Sequence, residues 1–280
     1  MTDGTLLPLV IAHRGASRDA PGNTPAAFEL AIAQGADAVE LDVRRTLDGV
    51  LVVHHNASRR GVLVAMQTHA TLLRRSRNEV PRLEAILDLC RGRVGLDIEI
   101  KEPGYEAEVV EAASSRFPRD RLLYTSFDES VIATVKRLDP NGRCGLLLGP
   151  GRLRSRAQRY EALPFDLAER CGADLLAVHQ LLAPLRTRSG GRKSAGTGLV
   201  AEAHLRKFPL MVWTVDGPQR LHAYLSDGRV TGIITDLPGL AVETRRDIAT
   251  YGGQEDSMPA HVTGLSRPAL TDRVRPVIPR

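Results

Sequence analysis

The chain has 280 residues, 42% apolar and 25% charged side chains, and a formal net charge of +5. That length suits about two average domains or one α/β barrel of about 250 residues, and it can fold without disulfides or a structural metal. Aromatic residues make up only 4%, which argues against a base-stacking nucleic-acid platform, and the scattered arginines suit either an anionic ligand or a solvated surface.

Apolar Leu7 to Ala12 reads as a strand ending at His13-Arg14-Gly15. Thr24 to Gln34 reads as a helix, with Ala27, Phe28, Ala31 and Ile32 at helical spacing and Gly35 as its stop. Ala38 to Val43 is a strand, Asp48-Gly49 a hairpin signal, and Val50 to His54 a returning strand. Arg82 to Leu89 is then helical and Val94 to Ile100 extended. Tyr105 to Ser115 is a helix, Leu122 to Thr125 a strand, Glu129 to Leu138 a helix and Cys144 to Leu148 a strand. Phe165 to Cys171, Leu199 to Lys207, Pro218 to Ser226 and Pro238 to Ile248 are the remaining helices. Between them lie strands at Asp174 to Val178, Leu210 to Val215 and Gly232 to Thr235.

With Val50 to His54 set aside as an excursion, about eight strands alternate with helices, which predicts a parallel sheet. Without a Gly-x-Gly-x-x-Gly fingerprint, the expected fold is a single (β/α)8 TIM-type barrel over residues 1–249. Residues 250–280, rich in Pro, Gly and polar groups, read as a disordered tail, and Gly149 to Arg159 and Thr187 to Gly198 as mobile loops.

Cys90, Cys144 and Cys171 are odd in number and lack CxxC spacing. They read as reduced and mostly buried, as in a cytoplasmic protein. No run approaches a membrane span, and the first residues lack a signal-peptide core.

Chemistry in such a barrel sits where the strands end. Glu40 and Asp42, at spacing two, share one strand face, where like charges repel and lose hydration. A divalent cation or an Arg/Lys cluster would offset that cost. Asp97, Glu99 and Lys101 repeat the spacing on the third strand. A carboxylate nest suits a hard cation such as Mg²⁺ or Ca²⁺, neighbouring histidines suit acid/base transfer, and Arg14 and Lys101 suit an anion. Metal-assisted phosphoester hydrolysis is the implied reaction class.

Several runs extend the pattern: Ile11-Ala12-His13-Arg14-Gly15-Ala16-Ser17, Asn23-Thr24, Glu40-Leu41-Asp42-Val43, Ile98-Glu99-Ile100-Lys101, Ser126-Phe127-Asp128, Val212-Trp213-Thr214-Val215-Asp216 and Gly232-Ile233-Ile234-Thr235-Asp236. In this order, over Pro8 to about Glu243, the chain resembles the glycerophosphodiester phosphodiesterases. The resemblance implies a TIM-type barrel that releases sn-glycerol 3-phosphate and an alcohol from a small glycerophosphodiester. It assigns Glu40, Asp42 and Glu99 to one divalent cation, commonly Mg²⁺ or Ca²⁺ with Mn²⁺ also considered. It makes His13 and His55 the general acid/base pair and puts Arg14 and Lys101 on the phosphate, with Trp213 at the substrate mouth. Gly22 and Asn56 stand where relatives usually carry acids.

Plainer readings stand beside these. Glu40 and Asp42 could pair with Arg44, Arg45 or another barrel-mouth cation, Glu99 with Lys101, and His54 competes with His55. Trp213 lines the mouth or packs the barrel end. Asp97 reads as a structural acid, Asp128 and Asp236 as turn caps, His179 as a substrate contact or a polar loop residue, and His69, His204 and His222 as surface residues. Three functions follow. The first is glycerophosphodiester hydrolysis, with no nucleic acid or membrane span. The second is phospholipase-D-type cleavage of lysophospholipids or another polyol phosphodiester. The third is a catalytically weakened barrel that binds a phosphodiester or a protein.

Overall fold

A computed structural model describes residues 7–76, 80–150, 163–185 and 198–251. Eight parallel strands close into a barrel: β1 (Leu9–Ala12), β2 (Ala38–Arg45), β6 (Gly95–Ile100), β7 (Leu122–Ser126), β8 (Arg143–Leu148), β9 (Leu175–His179), β10 (Leu210–Trp213) and β11 (Gly232–Thr235). Closure comes from β1, which pairs with β2 on one side and β11 on the other. The strands are Val-, Ile- and Leu-rich because helices cover their outer face and side chains fill the inside.

The surrounding helices are α1 (Pro25–Ala33), α2 (His69–Arg75), α3 (Leu83–Cys90), α4 (Glu106–Ser114), α5 (Glu129–Leu138), α6 (Leu163–Cys171), α7 (Leu199–Leu205), α8 (Pro218–Leu225) and α9 (Pro238–Tyr251). Local chemistry sets their ends. The Thr24 side chain accepts from the Ala27 N–H, Pro25 opens α1, and Gly35 leaves it at φ +81°. Buried Phe28, Ile86, Val109, Val131 and Phe165 belong to the large apolar cluster that the helices and strands share.

Inside the barrel, one half is apolar and the other is not. Ile11, Leu147, Ala177, Met211 and Ile234 form a separate interior cluster. On β2 and β6 the buried positions are instead Glu40, Asp42, Asp97 and Glu99. Register sets Glu40 beside Asp97 and Asp42 beside Glu99.

The excursion after β2 is richer than its sequence suggested. β3 (Leu51–Val53) returns antiparallel along β2. Then come a small hairpin, β4 (Ser58–Arg59) with β5 (Val62–Leu63), and α2. Neither hairpin nor helix was anticipated. His69 is corrected from surface to buried: its N–H is held by Asp48 and its Nε2 lies 3.3 Å from the Val80 carbonyl. The last helix runs on to Tyr251. Beyond Gly149, Pro150 and Gly198, the two expected mobile loops lie outside the described residues, as does the expected tail beyond Tyr251. Cys90, Cys144 and Cys171 are buried thiols. Among the described residues no helix is long and apolar enough to cross a membrane.

Candidate active site

The C-terminal ends of β1, β2, β6 and β11, with the segment after β3, bring most of the expected residues together. Arg14 bends away from β1 at φ +57°, and Gly15 follows at φ +79°. A Cβ on Gly15 would sit 2.5 Å from the Ala27 backbone, so only glycine lets this turn lie against α1. The turn aims the Arg14 N–H at Glu40 Oε2, 2.9 Å away.

Glu40, Asp42 and Glu99 present one ligand oxygen each within 4.8 Å of one another. All three are buried. Burial first, then the charges of Asp42 and Glu99, raise the Glu40 pKa well above the usual carboxylate range. Glu99 is pushed up to about 7, again mainly by burial. Burial also works against ionised Asp42, but His55, Lys101 and Arg14 outweigh it and hold its pKa well below normal. A compact set of hard oxygen donors with two carboxyls strained towards protonation fits a divalent cation.

Two cations already lean on this nest. Lys101 Nζ lies 2.7 Å from Asp42 Oδ1 and 2.5 Å from Glu99 Oε1, and Arg14 Nε lies 3.1 Å from Asp42 Oδ2. Burial disfavours the Lys101 ammonium, yet the two carboxylates raise its pKa on balance. The alternative pairing of Glu99 with Lys101 is therefore present beside the cluster. Arg44 and Arg45 pair elsewhere, with Glu102 and Glu108, so the plain pairing of Asp42 with a barrel-mouth cation is met by Arg14 and Lys101 instead.

The histidines flank the nest. His55 Nδ1 lies 3.1 and 3.2 Å from the Asp42 oxygens, and its Nε2 lies 3.4 Å from an Arg14 guanidinium nitrogen. His54 does not reach a carboxylate: its Nε2 is buried without a partner, and burial with nearby Arg59 and Arg44 pushes its pKa down to about 4. His13 Nδ1 lies 2.6 Å from Asp236 Oδ1. A cleft of about 370 Å³ opens beside both histidines, with Arg14, Gly22, Asn56 and Asp236 in its wall. A Cβ on Gly22 would stand 3.1 Å from the Arg14 Cβ and 3.2 Å from the Ser17 Cβ. The bare backbone there leaves Arg14 and Ser17 uncovered.

Three site residues were missed or undervalued. Asp236, read as a turn cap, instead binds His13 and accepts from the Ser17 hydroxyl. Burial raises its pKa, but His13 and Ser17 outweigh this and leave it lowered. Asn23, held at φ +62°, donates from Nδ2 to Asp42 Oδ2 at 2.7 Å. Arg44 donates from Nε and an η nitrogen to the His55 carbonyl at 3.0 and 2.6 Å. Asn23 and Asp236 both stand in runs that carry the family resemblance, but no sequence signal pointed to the bond from Arg44 to the His55 carbonyl.

The remaining candidates separate. Asp97 is buried, accepts from the Thr125 hydroxyl at 2.7 Å, and has a pKa near 7 through burial. Asp128 caps α5. His204 and His222 are exposed. Trp213 packs the barrel end. Its Nε1–H donates to the Ala177 carbonyl inside the barrel, and its ring meets Phe127 and His179 edge-on at the mouth.

Residues 13–240 match the Glycerophosphoryl diester phosphodiesterase family. A glycerophosphodiester phosphodiesterase of Caldanaerobacter subterraneus subsp. tengcongensis is 29% identical over 277 residues, covering 88% of this chain and 99% of that protein. The crystal structure of a glycerophosphodiester phosphodiesterase from Thermotoga maritima is similar with a TM-score of 0.69 at 25% identity, over 85% of this chain and 98% of that one. An Oleispira antarctica phosphodiesterase, solved in complex with the product sn-glycerol-3-phosphate, shares the fold with a TM-score of 0.67 at 23% identity, over 85% of this chain and 96% of that one.

Proposed function

This chain belongs to the glycerophosphoryl diester phosphodiesterase family and is a phosphodiesterase; we propose that it hydrolyses glycerophosphodiesters to sn-glycerol 3-phosphate and an alcohol. The observation that carries this reading is a buried carboxylate triad at the same barrel mouth as a cleft lined by two carboxylate-partnered histidines.

Glu40, Asp42 and Glu99 would hold one divalent cation, Mg²⁺ or Ca²⁺, with Mn²⁺ a further option. Such an ion supplies Lewis-acid polarisation of a phosphoryl oxygen. The rest follows from this chain's side chains. Arg14 and Lys101 already lie at the nest and suit the diester's anionic oxygens. His13 and His55 form the general acid/base pair that activates the attacking oxygen and protonates the leaving alcohol. Asp236 and Asp42 would accept from their Nδ1 atoms and so fix the tautomer, which makes Nε2 the atom for the proton in transit, that of His55 lying 3.4 Å from the Arg14 guanidinium. Asn23 keeps Asp42 oriented, and Arg44 fixes the backbone that carries His55. The buried cysteine thiols fit a cytoplasmic setting.

The test is release of glycerol 3-phosphate from glycerophosphocholine or glycerophosphoethanolamine with Mg²⁺, Ca²⁺ or Mn²⁺, each against EDTA. Turnover that EDTA abolishes is expected, and no turnover with any metal would refute the reading. A second reading, lysophospholipid cleavage in a phospholipase D manner, draws on exposed Phe127 and Leu181 near Trp213. Free choline from lysophosphatidylcholine, released faster than glycerol 3-phosphate from the soluble diesters, would favour it.

A further inference from the structure

Beyond His55, Asn56 and Arg59, which line the cleft, the excursion after β3 carries exposed side chains to which the proposed catalysis gives no role. Between Gly49 and Ser76 the chain holds Arg59, Arg60, Arg74 and Arg75 and neither Asp nor Glu. Among the described residues, none of these four arginines pairs with a carboxylate. Four exposed apolar side chains lie in or beside the same stretch: Leu47 (65% exposed), Leu63 (48%), Met66 (67%) and Leu73 (42%).

Gln67 ties this stretch together. Its buried side chain donates to the Val62 and Leu63 carbonyls, and its own carbonyl accepts from the Leu47 N–H. Its Oε1 lies 3.5 Å from the Arg75 guanidinium. Leu47 and Leu63 are therefore held to one residue, Gln67, directly after Met66, with Arg75 at the end of α2 bonded to the same side chain.

The hairpin tip adds a second observation. Arg60 and Gly61 stand at φ +50° and +77°, the left-handed pair of a two-residue hairpin turn. Asn-Gly suits that turn, and an arginine in its first position is conformationally costly. The cost is borne at an exposed tip whose guanidinium finds no carboxylate among the described residues.

We propose that this excursion docks the protein on an anionic phospholipid bilayer. Guanidinium groups would meet headgroup phosphates while Leu47, Leu63, Met66 and Leu73 enter the interfacial layer. Apolar side chains exposed along the same stretch as arginines without carboxylate partners are the pairing of chemistries that an anionic interface takes up. Arg59 of the hairpin also lines the catalytic cleft with His54 and His55. Docking would set the cleft's mouth at the lipid surface. The proposal goes beyond hydrolysis and does not depend on it.

The full chain is sedimented with vesicles of equal parts phosphatidylcholine and phosphatidylglycerol, and with phosphatidylcholine alone, at low and high salt. Binding is expected to the anionic vesicles only and to weaken with salt. The pairs Leu63→Ser with Met66→Ser, and Arg60→Asn with Arg74→Gln, should each weaken it roughly tenfold or more. Turnover of soluble glycerophosphocholine should stay at the parent level, whatever that level is. Arg60→Asn alone should raise the melting temperature, because asparagine suits the turn, and still lower vesicle binding. A purely structural arginine would not give those opposite signs. No sedimentation, equal sedimentation with neutral vesicles, or double variants that bind like the parent would overturn the proposal. A parent without diester turnover bears on the hydrolysis reading alone.

Discussion

His13 and Asp236 are 223 residues apart in the chain and 2.6 Å apart in the fold. Periodicity cannot reveal such a pair, because only the seam between β1 and β11 brings the two together. Asp236→Asn tests whether the carboxylate positions His13 or merely shapes the turn. Asparagine can still accept from Ser17, but it cannot stabilise an imidazolium. The kcat is expected to fall roughly a hundred- to ten-thousand-fold with KM nearly unchanged and the acid limb of the pH profile displaced. An unchanged kcat would return Asp236 to a structural role. Glu40→Ala should abolish metal-dependent turnover with the fold retained, as judged by circular dichroism. Glu40→Gln keeps an acceptor for the Arg14 N–H but removes a charge that burial and two like neighbours disfavour. It should raise the melting temperature in EDTA at alkaline pH, where the buried carboxylate is driven to ionise, while removing activity. Full activity in either variant would take Glu40 off the ligand set. Strand spacing alone made Glu40 with Asp42, and Glu99 with Asp97 and Lys101, legible as same-face groups, whereas the choice of Glu99 over Asp97 as third ligand came from the family resemblance. Asn23 and Arg44 were not, since their roles depend on a left-handed backbone and on the path of the His55 loop.

At the scale of elements, β2 and β6 lie side by side with carboxylates in register. Their pairing gathers charge that the metal-free barrel holds at a cost. Glu99 has its pKa pushed to about 7 by burial, against an ordinary value of 4.5. Below about 4.5 both folded and unfolded chains hold its proton. Between about 4.5 and 7 the unfolded chain has released the proton that the folded chain keeps, so stability falls as pH rises. Above about 7 the loss is complete, on the order of 3 kcal/mol. Melting in EDTA should therefore occur at a lower temperature near pH 8 than near pH 5, once other groups are matched with a Glu99→Gln control. Added Mg²⁺ or Ca²⁺ should displace protons from Glu40 and Glu99. Affinity should climb through neutral pH, and calorimetry in buffers of different ionisation heat should show protons released. Binding independent of pH would place the ion on other ligands. The barrel strands and most helices were legible from alternating apolar runs. The hairpin of β4 and β5 and helix α2 were not: two-residue strands carry too little period to read, and α2 buries only His69 and Leu72.

The whole molecule separates the end that works from the end that holds. Barrel chemistry lies at the C-terminal mouth, and the opposite face serves stability. There Asp37, just before β2, accepts from the Val10 N–H of β1 at 2.7 Å. Arg245 of α9 grips the same carboxylate with two nitrogens and also donates to the Pro8 carbonyl. One aspartate thus joins the first strand, the entry to the second and the last helix, across the seam where the barrel closes. The pair is partly buried, with side chains 21% and 30% exposed, so solvent screens it only in part. Arg245→Met keeps the aliphatic stem and removes the clamp. It should cost about 1–2 kcal/mol and lower the melting temperature by roughly 2–6 °C in a chain of this size. Because Arg245 lies at the far end from His13 and His55, kcat for a soluble diester should stay within about twofold at temperatures below the transition. An unchanged melting temperature would mean the clamp adds nothing to closure. A large fall in kcat without unfolding would mean that the two ends of the barrel are coupled through β1, whose last residue is followed directly by His13.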